Sequence, residues 1–117
     1  MNEFLEDRIY DAAQECGFTA HFGGEEEYVT FEAHSPLGED ISLEVYSDDF
    51  DDILSEVQSN YEFFDVEEHA VMWWNMHGKK GAPTSLQKLL DDAKEIKKMY
   101  KMLYVYLDDL HKELEEE

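Results

Sequence analysis

The sequence predicts an α+β fold of one domain over residues 1–117: an N-terminal helix, a three-stranded antiparallel sheet, two shorter helices and a long C-terminal helix. Three observations carry this. Apolar residues recur at steps of three and four from Leu86 to Leu114, with no proline or glycine between them. Between residues 18 and 46 the apolar period drops to two, in three short runs separated by turn residues. Two further helical stripes lie between these stretches.

The long helix is placed at 84–115. Leu86, Leu89, Ala93, Ile96, Tyr100, Leu103, Leu107, Leu110 and Leu114 form one seam over four heptads. At 1.5 Å per residue this seam runs about 43 Å, against a body of roughly 35 Å expected for a globule of this length. The helix therefore spans the body or projects from it. Thr84, with Gln87 three residues on, has the form of a capping box.

The first helix is read over residues 3–16. Leu5, Ile9, Ala12, Ala13 and Cys16 share a face, acids lie near the start and Gly17 marks the stop. The strands follow. Phe18, Ala20 and Phe22 alternate with polar residues, then Val29, Phe31 and Ala33, then Ile41, Leu43 and Val45. Gly23-Gly24 and Ser35-Pro36-Leu37-Gly38 supply the turns of a meander. One face is apolar and the other polar, so the long and first helices are expected to cover one side. Residues 48–60 form the next helix, with Phe50, Ile53, Leu54, Val57 and Tyr61 in a stripe. Asp65 and Glu68 cap a third helix bearing Ala70, Trp73, Trp74 and His77, which Gly78 and the breaker Lys79-Lys80-Gly81-Ala82-Pro83 end.

Charge is the dominant compositional feature. The net charge is -21, and residues 1–78 hold 21 Asp and Glu against one Arg, whereas residues 79–117 hold nine against eight Lys. Seven Phe, seven Tyr and two Trp supply enough apolar area to argue against disorder. The lone Cys16 excludes a disulfide framework. The polar, acidic Met1–Arg8 is unlike a signal peptide, and no apolar run is long enough for a membrane span. A cytoplasmic protein with no membrane partner is expected.

Tests for chemistry fail one after another. Counting an EF-hand loop from Asp48 puts Ile53 at the sixth position and Ser59 at the twelfth, where glycine and glutamate are required. His69 and His77 are eight apart, whereas the zinc-protease helix needs four, and no second Cys is present for a structural zinc. Cys16 has nothing identifiable beside it to lower its pKa and reads as a small core residue. No nucleophile elbow, P-loop or dinucleotide fingerprint occurs. With thirty acids, a carboxylate pair has no specificity as a glycosidase signal. Trp73-Trp74 lacks the basic groove that single-stranded nucleic acid needs and reads as core. The sequence thus predicts no enzyme, no cofactor, no metal and no direct nucleic-acid contact.

Two surfaces are the candidates for function. Asp48, Asp49, Asp51, Asp52, Glu56, Glu62, Glu67 and Glu68 are candidates to engage a basic or DNA-binding protein. Met99, Met102, Leu103, Tyr104, Tyr106 and Leu107 lie in a stretch that is apolar nearly all round, which implies cover on several sides or a homodimer contact. Lys94, Lys97, Lys98 and Lys101 sit beside the seam and are expected to face the acidic body.

The segments Phe63–Trp73 and Leu89–Met99, extending back through Gly24–Phe31, resemble a set of small acidic proteins of gut Firmicutes that often sit among mobile-element genes. No activity is assigned to that set, so the resemblance implies a bacterial, cytoplasmic setting and a link to plasmids, transposons or phage, and no functional residues. The expected function is an accessory, non-catalytic binding or structural role, in which charge serves solubility and association. The alternative is a DNA mimic of the antirestriction or anti-CRISPR type. A mimic must match one charge per about 1.7 Å of duplex axis, and the 70 residues from Ile9 to Gly78 hold no Lys or Arg. A halophilic reading fits poorly, since the lysines are concentrated rather than depleted.

Overall fold

The computed structural model describes residues 2–23, 28–77 and 85–116. Its elements run α1 (Glu3–Glu15), β1 (Thr19–Phe22), β2 (Val29–His34), β3 (Asp40–Val45), α2 (Phe50–Glu62), α3 (Val66–His77) and α4 (Leu86–Glu116). The predicted order and α+β class hold. The body measures 52 × 28 × 21 Å. With 31 residues, α4 is about 46 Å long and lies along the long axis, since neither short axis could hold it. It spans the body.

Each boundary has a local cause. Asn2 accepts from the Leu5 amide at 2.8 Å and opens α1. At its end Phe18 N–H returns to Ala13 and Gly17 N–H to Gln14, with Gly17 at φ +92°. This Schellman turn needs a left-handed residue and points the chain into β1. In the β2–β3 connection Pro36 presets φ, Gly38 takes φ +87°, and the Ser35 hydroxyl accepts from the Glu39 amide at 3.0 Å. Asp49 accepts from Asp51 N–H at 2.8 Å, so α2 starts at Phe50 rather than at Asp48. Asp65 accepts from Glu68 N–H at 3.0 Å, the expected cap of α3. The Thr84 cap, Gly78 and the Lys79–Pro83 breaker lie outside the described residues. The Ser85 hydroxyl accepts from Lys88 N–H at 3.2 Å and caps α4.

The sheet is antiparallel in the order β1-β2-β3. Ala20 pairs with Phe31 and Phe31 with Leu43, while Phe22 pairs with Val29 and Val29 with Val45. Period two therefore puts all these side chains on one face. That face meets α1, α2 and α4 in one core, in which Ile9, Val29, Phe31, Ile53, Val57, Ile96, Leu103 and Leu107 are fully buried. Cover comes from three helices, not two: α2 joins by packing beside β3, as α1 packs beside β1. A smaller cluster of Ala70, Leu89 and Ala93, with Trp73, Trp74 and Leu90 against it, joins α3 to the first third of α4. Phe64 packs against both clusters.

Two polar ties hold this second cluster to the sheet. Asp92, a buried acid, accepts from Leu37 N–H at 3.0 Å. His69 Nε2 lies 2.9 and 3.0 Å from the two carboxylate oxygens of Glu39. Both partners sit in the β2–β3 connection, so one short loop fixes α3 and α4.

Candidate functional site

The site is built at the junction of α2 and α3. The Phe63 amide closes α2 on Ser59 O at 2.9 Å, and two residues later Asp65 has already capped α3. Of two adjacent phenylalanines in so short a turn, only one can face inward. Phe64 does, with ring centroids 6.0 Å from Tyr100 and 4.9 Å from His69. Phe63 is left 82% exposed. On α3 the Ala70 and Trp73–Trp74 side packs on α4, so Val71, Met72 and Met76 are turned outward and stay exposed. Phe63, Met72, Asn60, Asp65, Glu68 and His69 then line a shallow groove of about 330 Å³.

Carboxylates rim this apolar centre. Glu62, Asp65, Glu67 and Glu68 are all exposed, and among the described residues no basic side chain forms an ion pair with any of them. Some acids elsewhere have a basic or histidine partner: Glu32 with His21 at 3.2 Å, Asp40 with His34 at 2.6 Å, Asp51 with His111 at 2.6 Å, Glu113 with Arg8 at 3.1 Å and Asp108 with Lys112 at 3.0 Å. The junction thus combines uncompensated charge with exposed apolar area.

The predicted acidic surface divides. Glu68 lines the groove with Phe63 and Met72, while Glu62 ends α2 next to Phe63 and Glu67 lies in the first turn of α3. Asp48, Asp49, Asp51 and Asp52 gather at the other end of α2, about 18 Å away along a 13-residue helix. There Asp49 caps the helix, Asp51 holds His111 and Asp52 accepts from the Ser47 hydroxyl at 2.9 Å. Glu56 is exposed along α2 between the two groups.

The predicted self-association surface needs correcting. Leu103 and Leu107 are fully buried inside the chain and offer nothing to a second copy. The stretch is apolar on several sides because the sheet, α1 and α2 all pack around this part of α4. Met99, Tyr104 and Tyr106 are half-buried, with Tyr104 5.6 Å from the Tyr61 ring, and only Met102 is openly exposed.

Cys16, Tyr28 and Tyr100 are held protonated by their surroundings. Burial pushes the Cys16 thiol up to about 11, while its Sγ donates to Ala13 O at 3.3 Å. Burial, with a hydrogen bond to Glu6 at 2.9 Å, pushes the Tyr28 hydroxyl up to about 12. Burial also raises Tyr100. Among the described residues, no group of three or more His, Cys, Asp or Glu is placed to hold a metal ion, and no helix is long and apolar enough to cross a membrane.

Sequence reasoning missed Phe63 and Met72. Their signal was the Phe63-Phe64 pair at a helix end, together with Val71, Met72 and Met76 on the side of α3 opposite Ala70. Compared with protein-family models, curated proteins and solved structures, the chain matches none.

Proposed function

We propose that this protein is a non-catalytic binding module that takes a basic, amphipathic segment of a partner protein at the α2–α3 junction. The observation that carries the reading is Phe63, 82% exposed and set among carboxylates that no basic side chain neutralises among the described residues. An exposed aromatic beside methionines suits an apolar anchor, because methionine adapts to irregular partners. The acidic rim steers a basic chain towards it and fixes its register.

The distribution of charge favours this reading over DNA mimicry. Exposed acids lie on α1 (Asp7, Asp11), on the outer sheet face (Glu32, Glu44), on α2 (Asp52, Glu56) and at the end of α4 (Glu113, Glu116). Since α1 and α2 flank opposite edges of the sheet, the charge surrounds the body instead of ranging along one duplex-like face. A mimic also has no use for exposed Phe63 and Met72.

The test is binding of a helical peptide with lysines on one face and leucines on the other. Wild-type protein is compared with Phe63→Ser/Met72→Ser and with Asp51→Asn/Asp52→Asn. The reading expects the first variant to lose tenfold or more in affinity and the second to change little. Equal loss in both variants would reduce the interaction to general acidity and sink the proposal.

A further inference from the structure

On the other side of the α2–α3 turn the chemistry reverses. Lys94, Lys97, Lys98 and Lys101 stand at i, i+3, i+4 and i+7 and form one stripe on α4, about 10 Å long. They flank a groove of about 560 Å³ whose other wall is Tyr61 and Val66, a volume within the range of binding clefts. In a chain of net charge -21, these lysines would be expected to seek acids. Lys97 instead donates to the Phe64 carbonyl at 3.1 Å, and Lys98 reaches only Glu95 of its own helix at 3.3 Å. Lys94 and Lys101 are exposed and meet no carboxylate within ion-pair distance among the described residues. Asp91, at the groove's end, is occupied by Gln87 at 3.1 Å.

We infer that this groove is a second docking site, for an acidic amphipathic helix of a partner protein. Two features of the site select that occupant. The cations form a line over two helical turns, which matches acids at the same spacing on a facing helix better than it matches one anionic headgroup. The groove wall is apolar, and lysine stems extend that apolar surface. A long polyanion such as single-stranded nucleic acid would meet the repulsion of the whole acidic body, whereas a helix with a few acids and an apolar edge gains burial as well as charge pairing. This site goes beyond the junction described above, and its partner has the opposite charge.

The two sites differ in their response to salt. A basic ligand at the α2–α3 junction is attracted by both its local contacts and the body's field, so salt weakens it steeply. An acidic ligand at the lysine groove is attracted locally and repelled by the body. Salt screens both, and its affinity should change less than threefold between 50 and 200 mM.

The probe is a fluorescein-labelled helical peptide with glutamates at i, i+3, i+4 and i+7 and leucines along the adjoining edge, read by anisotropy. The proteins are wild type, Lys94→Gln/Lys101→Gln, and Lys88→Gln/Lys112→Gln, which removes the same charge away from the groove. Circular dichroism checks that each is folded. The expected result is binding by wild type, a loss of tenfold or more in the groove variant, and little change in the control. No binding by wild type, or equal loss in both variants, overturns the inference. So does sodium decanoate or an oligothymidine binding through the same lysines while the peptide does not bind. A wild-type dimer in sedimentation that the groove variant loses would make the occupant a second copy and overturn it too.

Discussion

The two ends of α4 do different work. From Ile96 to Leu110 it is buried among the sheet, α1 and α2, in a core of seventeen residues. From Leu89 to Ala93 it packs on α3 in a cluster of three buried residues among those described, and Asp92 ties it to the β2–β3 turn. The exposed apolar side chains of the larger region, Phe4, Tyr10, Leu37, Tyr46 and Met102, are scattered over α1, the connections on either side of β3, and α4. The smaller one leaves Phe63, Val71, Met72 and Met76 exposed. Stability therefore concentrates at the sheet, and unsatisfied surface concentrates at α3. One helix carries both regions, and local stability commonly falls where binding surfaces lie.

The sharpest way to break this comparison is truncation in each region. Leu107→Ala removes a fully buried side chain and should cost about 2–5 kcal/mol, read by urea denaturation. Leu89→Ala, 3% exposed in the small cluster, should cost less, about 2 kcal/mol. Its increase in amide hydrogen exchange should be confined to α3 and the first turns of α4. Equal costs with global exchange in both would merge the two regions into one.

The Asp92 tie comes next. Asp92→Ala leaves the Leu37 amide without its acceptor and should cost about 1–2 kcal/mol, with faster exchange in both the β2–β3 turn and α3. Silence in the turn would mean that the tie does not couple the regions.

Alkaline pH should act on the sheet region. Cys16 titrates at 9.0 unperturbed and about 11 in the fold, and Tyr28 at 10.0 and about 12. Both folded values are raised, so the unfolded chain loses its protons first. Their contribution is fully present below about pH 9 and is lost as pH rises to about 12. Cys16→Ala and Tyr28→Phe should each flatten the fall of Tm with pH over this window. A fall unchanged in both variants would place the titrating groups elsewhere.

The smallest effect on stability is expected at the proposed binding face. Phe63→Ser should change stability by no more than about 0.5 kcal/mol, because the ring touches little. A large loss would show that Phe63 packs in the fold and would remove it as an anchor.

The sequence made the element order legible because the apolar period changes from 3.6 to 2 and back, and each change coincides with a glycine, proline or capping acid. Gly17, Pro36, Asp49 and Asp65 act locally and could be read locally. The length of α4 against the body was also readable. The middle of α4 was ambiguous, since an all-round apolar helix looks the same whether its cover is internal or a partner. Only the packing of the sheet, α1 and α2 decides it, by burying Leu103 and Leu107. Asp92 was invisible as a tie because its donor lies 55 residues away. The lysine stripe was legible as spacing, but not that Lys94 and Lys101 meet no carboxylate among the described residues, which depends on where α2 ends. Phe63 was missed because it is one of two neighbouring phenylalanines, and the α2–α3 turn alone determines which faces out.

The central claim is that binding belongs to the α3 side and stability to the sheet side. Backbone amide shifts recorded while the basic amphipathic peptide is titrated in test it most directly. The account predicts changes confined to residues 60–77, strongest around Phe63, Glu68 and Met72, with the sheet and α1 unmoved. Changes spread over α1, the outer sheet face and the start of α2, in proportion to their acids, would contradict it.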